Sequence, residues 1–424
     1  MVYLRCLILV SLLGLLMSLP PHGRPQAQEA QATYQFVNLT LSYGGAADLY
    51  RNGAVAFFGS PQAELSPERS IPAGEQTFQL YPLNAAPGAV EPIAEISFEA
   101  PPGEDFLLLA IERAGGVEFV RQVIPTESVP VNRARYDLWH QSDFLPAILA
   151  QGQNGDRLIA DLAPGANGTA FIPSGIYQMS FRDGDGAELA ARTVNATAGT
   201  WVFGVLYGIS EARYFETVRA LPQLAAFRLI HGARVTPAVD VYLNELLLVA
   251  GVEYLASSDY LYIPPGDYNL AILPSGESPS STSPYWEGQV TFSTTAPVTG
   301  VLFGERLNRL SINQDDHQLI PAEEARLRFV NVAVGLPSLT VEAGGELLVE
   351  GLEYALGSRN IISNTGAQSF IFRNTAGEVY ATLENFTIEP NRHYTFVISG
   401  NLEEGGPAEV TVFPWDWQVR EGGQ

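Results

Sequence analysis

Residues 226–273 read AFRLIHGARVTPAVDVYLNELLLVAGVEYLASSDYLYIPPGDYNLAIL; after a Ser/Pro/Thr-rich loop, residues 288–304 read GQVTFSTTAPVTGVLFG. Short apolar runs alternate here with turn residues. The runs AFRLIH, AVDVYL, ELLLVAG, DYLYIP, YNLAIL, GQVTFS and TGVLFG each predict a strand, and RLSIN at 309–313 is placed to pair with the last of them. Period-two alternation gives each strand one buried side. Tyr268, Leu270 and Ile272 share a side, as do Val239, Val241 and Leu243, leaving Asp240 and Tyr242 opposite. Seven or eight short strands within roughly 100 residues predict an antiparallel β-sandwich.

The same landmarks recur along the chain. A strand ends in a polar residue at Asn38, His140, His231 and Asn331. A turn then enters a strand at IPAGEQTFQL (71–80), IPSGIYQMSF (172–181), IPPGDYNLAI (263–272) and ISNTGAQSFIF (362–372). An apolar strand follows, at FLLLAIERA, WVFGVLYGI, VTGVLFGER and YTFVISGNL. The polar strand end and the Ile opening the second landmark are 33, 32, 32 and 31 residues apart, and Pro146, Pro237 and Pro337 each fall six residues after their own His or Asn. Such spacing marks a four-fold internal repeat. The fold expectation is all-β: tandem antiparallel β-sandwich, immunoglobulin-like modules at 33–125, 133–216, 225–315 and 325–420. The Pro-x-Gly pieces predict tight turns with positive φ at the Gly. The linkers near 125–133, 216–225 and 315–325 predict a semi-rigid string of modules.

Composition bears on location. Arg5 and the apolar run Leu7–Leu19, closed by Pro20 and Pro21, predict a signal peptide over 1–32, with Ala30-Gln31-Ala32 as the cleavage site. An uncleaved anchor is the competing reading, although the run is short for a bilayer. The lone Cys6 lies inside this leader, so the mature chain has no thiol for a disulfide or a metal. The formal charge is −23, and all 23 basic residues are Arg. This balance repels nucleic acid and anionic lipid. The expected location is secreted, extracellular or cell-envelope, without membrane insertion after cleavage.

His231-Gly-Ala-Arg-Val-Thr-Pro237-Ala-Val239-Asp240-Val241-Tyr242, followed by Ile263-Pro264-Pro265-Gly266-x-Tyr268, resembles the bacterial domain-of-unknown-function family 4397. The resemblance thins in the other repeats. The first keeps Asp48-Leu49-Tyr50, the second His140 and Pro146, and the fourth only Pro337 and the strand pattern. It implies tandem β-rich modules on exported or cell-surface proteins, and it brings no biochemical activity.

Among polar residues, His231 and Asp240 are nine apart across a turn and could meet as a charge-coupled site. The bland alternative has His231 bonding turn backbone. Asn in the first and fourth repeats favours it, because Asn can make such bonds but cannot act as a base. Asp183-Gly184-Asp185-Gly186 reads as a hairpin turn and lacks the later acids of a calcium loop. Asp315-Asp316-His317 reads as a solvated linker. No metal or other cofactor is expected. Candidate binding residues are His231, Asp240 and Tyr242, with Tyr285 and Trp286 at the end of the 275–284 loop. Trp415 and Trp417, two apart and in line with Phe413, complete the set as an aromatic stripe.

The sequence carries no Gly-x-Ser-x-Gly, His-Glu-x-x-His or phosphate-loop motif. The expected function is therefore non-enzymatic: a scaffold, spacer or adhesion module whose partner is an envelope protein or polysaccharide. Two alternatives are a carbohydrate-binding protein using exposed aromatics and an enzyme acting on an envelope polymer.

Overall fold

The computed structural model describes residues 30–43, 45–304 and 308–416. The signal-peptide expectation and Trp417 therefore fall outside the described residues, apart from the last three positions of the leader. The described residues hold strands and turns and no helix.

The strands predicted in the third repeat all form. They run Gln223–His231, Val239–Leu243, Leu246–Val252, Leu261–Ile263, Gly266–Pro274, Trp286–Phe292, Val298–Phe303 and Arg309–Gln314. They make two sheets. Counting strands within the repeat, one sheet has the order fourth–first–seventh–eighth and the other third–second–fifth–sixth. The first and seventh strands pair in parallel, from Phe227↔Val298 to His231↔Leu302, and the other ladders within the two sheets are antiparallel. The same two orders recur in all four repeats. A constant-type immunoglobulin domain places its first strand beside its second. Here the first strand lies between the fourth and the seventh, so the topology does not carry the immunoglobulin-like part of the expectation.

Each sandwich has its own core. In the third, Phe227, Leu229, Val241, Leu270, Ile272 and Leu302 meet between the sheets. Alternation explains this for the outer sheet, whose far face is polar. It does not explain the sheet carrying the first and seventh strands, which is buried on both faces. Asp105–Arg113 (DFLLLAIER) is buried from Phe106 to Glu112, and Thr200–Gly208 (TWVFGVLYG) from Trp201 onward. A strand covered on both sides reads as an unbroken apolar run.

The second cover is another sandwich. Val37, Leu39, Leu107, Leu109 and Ile111 of the first repeat pack against Trp139, Trp201, Phe203, Val205 and Tyr207 of the second. Ile230, Val301 and Phe303 of the third pack against Val330, Val332, Val397 and Phe413 of the fourth. The sandwiches thus associate face to face, first with second and third with fourth. This corrects the expected string of modules. The physical reason is apolar area: strands with two apolar faces would leave one face in water if the modules stood apart.

The presumed linkers are also built into the body. Val129–Pro130 pairs in parallel with Gln223–Leu224. Residues 216–225 hold the end of one strand, Arg213–Ala220, and the start of the next. The 315–320 segment docks on the second sandwich, where Leu319 N–H donates to Ser174 O (3.0 Å). A Cβ at Gly175 would lie 2.7 Å from Leu319 Cβ, so close approach explains this Gly. Positive φ does explain Gly74, at +116°, but neither Gly175 nor Gly266 adopts it.

Candidate functional site

His231 closes the first strand of the third sandwich and is fully buried. Its Nδ1 accepts the Ala233 N–H (3.3 Å), and Nε2 lies 3.0 Å from Pro237 O. A carbonyl can only accept, so Nε2 carries the proton and the ring is neutral. Burial lowers the pKa, against a smaller upward effect of the backbone bonds at Pro237 and Thr236.

His140 repeats the arrangement with Pro146 O (2.7 Å) and Ser142 N–H (3.4 Å). Asn331 reproduces it with an amide: Nδ2 donates to Leu336 O (3.0 Å) and Leu352 O (3.2 Å), and Oδ1 accepts the Ala333 N–H (3.3 Å). Asn38 does likewise with Ser60 O (3.1 Å) and the Thr40 N–H (3.1 Å). All four polar strand ends thus donate to a carbonyl, Asn331 to two, and accept one bond from the amide two residues on. That is a backbone clasp.

Asp240 has its own pair of partners. Oδ1 accepts the Gly251 N–H (2.7 Å) and Oδ2 the Gly276 N–H (2.8 Å). Burial raises its pKa, but these bonds and one from Ser275 outweigh it and leave the carboxyl below its usual range. Asp48 makes the same two bonds in the first sandwich, to the Gly59 N–H (2.7 Å) and the Asn84 N–H (2.8 Å). Among the described residues no hydrogen bond joins His231 to Asp240. Each ties its own loops to the sheet, and the structure does not bring them together as a charge-coupled pair.

Replacing His231 by Asn should cost less than replacing it by Ala, because the amide keeps one donor and one acceptor for the clasp, as at Asn331, while filling less volume than the ring. His231→Ala should cost about 2–6 kcal/mol, because two buried backbone groups lose partners at about 1–3 kcal/mol each. Chemical denaturation of the two variants measures the difference. Equal losses for Asn and Ala would contradict the clasp.

The aromatic candidates are placed differently from an exposed stripe. Trp286 and Tyr285 are half-buried against the third core. The indole of Trp286 lies over Gly288, where a Cβ would meet it at 2.9 Å. Tyr242 is half-buried, and its hydroxyl donates to Glu277 O (2.7 Å) at the start of the 275–284 loop. Trp415 stacks on His317 at 3.8 Å between ring centroids and meets Tyr260 edge-on at 5.1 Å. Phe413 is buried in the seam between the third and fourth sandwiches. Asp183 accepts the N–H groups of Asp185 (3.0 Å) and Ala187 (2.8 Å) within a hairpin turn.

A cluster of charged and aromatic groups at the module junction was not legible in the sequence. Asp315 and His317, read as solvated, are 8 % and 4 % exposed. They sit where the second, third and fourth sandwiches meet. Arg228 donates to Thr299 Oγ1 (2.8 Å) and Thr395 Oγ1 (2.7 Å), while Tyr260 donates to Asp315 (2.5 Å). Arg328 pairs with Asp315 (3.4 Å), and Arg326 with Asp316 (3.4 Å). Buried guanidinium groups keep their charge where Lys would tend to lose its proton, which suits Arg to these positions. The sequence signal was an Arg at the same place in two first strands: Arg228 and Arg328 each lie three residues before the polar strand end.

Residues 225–342 match the family described as Domain of unknown function (DUF4397), so the chain carries a domain of this family. The match covers the third sandwich and extends through the strand Glu324–Asn331, which packs against it. No curated protein matches the chain.

Among solved structures the chain is similar to a candidate cell adhesion protein from Bacteroides uniformis ATCC 8492, with 12% identity over 46% of this chain and 99% of that one, TM-score 0.17. It is also similar to the Bacillus anthracis TIE protein, with 11% identity over 88% and 67% of the two chains, TM-score 0.14. A third is the Bacteroides ovatus mixed-linkage glucan utilization protein SGBP-B, with 12% identity over 78% and 87%, TM-score 0.13. Superpositions this loose carry no argument about activity. No helix among the described residues is long and apolar enough to cross a membrane.

Proposed function

We propose that the protein is an exported, non-enzymatic scaffold or spacer of the cell envelope or extracellular space, built to hold a partner protein or polysaccharide at a fixed distance. The observation that carries this reading is the face-to-face packing of the sandwiches. Two apolar seams and a strand-paired linker turn a tandem array into a stiff body. A stiff body transmits position, which a freely jointed string does not. The polar residues a catalyst might have used support the reading, since His140, His231, Asp48 and Asp240 hold backbone loops. A leader ending ahead of the strand Gln31–Leu39 supplies the export; Gln31 and Ala32, which pair with Pro72 and Ile71, belong to the first sandwich and not to the leader.

Fractionation of producing cells tests the location. The protein should appear in the envelope or the medium at the mass of a chain lacking about thirty N-terminal residues. A cytosolic pool with the leader intact would overturn export. Chain shortening of an envelope polymer by the purified protein would overturn the non-enzymatic reading.

A further inference from the structure

The junction around His317 gathers more than packing requires. Its ring is surrounded by rings from the third and fourth sandwiches. Trp415 stacks on it at 3.8 Å, Tyr260 meets it edge-on at 4.6 Å, and His393 lies at 5.2 Å. His393 is fixed by register, since its strand pairs Arg326↔His393 on one side and His393↔Trp415 on the other.

The charges facing this pair come from every neighbouring element. Arg228 lies on the first strand of the third sandwich, with its guanidinium 4.9 Å from the Tyr260 ring. Arg133 comes from the second sandwich, 6.0 Å from the Trp415 ring. Arg326 and Arg328 belong to the fourth. Asp315 and Asp316 flank His317 on its own segment, and Asp156 shares a small cavity with His393. Asp315 is engaged by Tyr260, Thr299 and Arg328, and Asp316 by Arg326. Four guanidinium groups thus face two engaged carboxylates. Among the described residues no carboxylate lies within ion-pair reach of either imidazole.

We propose that this junction is an acid-operated latch: protonation of the His317–His393 pair frees the 315–320 segment from the second and third sandwiches while all four sandwich cores, the strand Arg392–Ser399 included, stay folded. A proton on either ring adds positive charge to a buried site already rich in it, with no free anion to answer it. Burial first, then the other His and the surrounding Arg groups, hold both rings well below the ordinary His value. The sign follows. The opened state has the higher pKa, so closure is complete above the ordinary value near 6.5 and is lost as pH falls below it. Opening such a segment requires less free energy than global unfolding, so it precedes core loss. The latch is independent of the proposed scaffold role, since it concerns solution behaviour and that role concerns location.

Hydrogen exchange of the full mature chain between pH 7.5 and 5.0, corrected for intrinsic rates, tests it. Protection of 315–320 should fall at least about ten-fold, the effect of one proton across a one-unit pKa gap, while the ladder amides of 392–399 keep theirs. Core strands such as Phe106–Ile111 should keep theirs. In the His317→Phe, His393→Gln double variant the 315–320 segment should show no such fall. Unchanged protection in the wild type, or an equal fall in the variant, overturns the latch. If the variant does not fold, histidine NMR of the wild type decides: titration of both rings near 6.5 without loss of protection overturns the proposal, and titration coincident with that loss supports it.

Discussion

Trp201→Ala should be among the most damaging single changes in the chain, lowering stability by about 3–5 kcal/mol. Trp201 is fully buried in the seam between the first two sandwiches. It stacks on Phe203 at 5.1 Å, and its Nε1–H donates to Asp137 Oδ2 at 2.8 Å. Truncation would remove one of the two Trp side chains of the seam and leave a cavity between two sheets held by their own hydrogen-bond ladders, which limits collapse. Asp137 would keep one partner, because Arg135 Nε lies 3.0 Å from its Oδ1. Trp201→Phe should therefore lose much less, about 1–2 kcal/mol, since the apolar bulk remains and one hydrogen bond goes. The damage should centre on the seam. Urea denaturation of Trp201→Ala should separate the pair Val37–Leu109 from its cover, with the third and fourth sandwiches unfolding as before. A single transition with unchanged midpoint would show that the seam contributes nothing to stability.

The strands were legible because their information is local. A run such as YNLAIL shows its buried side by alternation, and the Pro-x-Gly landmarks mark where it starts. The clasp was legible for a different reason. His and Asn exchange between repeats at one position, and the chemistry those two side chains share is a donor and an acceptor for backbone, not basicity. The observed bonds at Asn38, His140, His231 and Asn331 are that shared chemistry.

The seams were not read, although FLLLAI and WVFGVLYG carried the signal: runs apolar on both faces need two covers. The identity of the second cover is a non-local fact. The first sheet of one module could have paired with any of three others, and the linker at 125–133 favours neither neighbour by composition. Asp315-Asp316-His317 was misread for the same reason. Three polar residues between two modules look solvated until the modules close over them. Composition counted their polarity, but their partners Tyr260, Thr299 and Arg328 come from positions 13–55 residues away in the chain.

Acidification should destabilise the whole protein steeply. His140, His231, His317 and His393 all have lowered pKa values in the fold, with burial as the leading cause of each. Above the ordinary value near 6.5 both folded and unfolded chains hold these rings neutral, and they contribute no pH dependence. As pH falls below it, the unfolded chain takes up protons that the folded chain refuses. Each ring then contributes up to about 1.4 kcal/mol per pH unit, so four together reach about 5 kcal/mol per unit until their folded values are passed. The carboxylates modify this lower down. Asp105, Asp156 and Glu216 are raised by burial and oppose the loss as they protonate in the fold. Glu112 is raised by burial but lowered further by bonds from Ser42 and the Leu41 and Ser42 amides, so with Asp240 it adds to the loss near pH 4 and below. The denaturation midpoint should thus be flat from pH 8 to 7, fall sharply between 6.5 and 5, and do so less steeply in His231→Asn, which keeps its clasp without a titrating ring. A midpoint unchanged between pH 7 and 5 would mean that the four imidazoles protonate inside the fold at no cost, against the neutral rings that acceptance of the Ser142 and Ala233 N–H groups at Nδ1 of His140 and His231 requires.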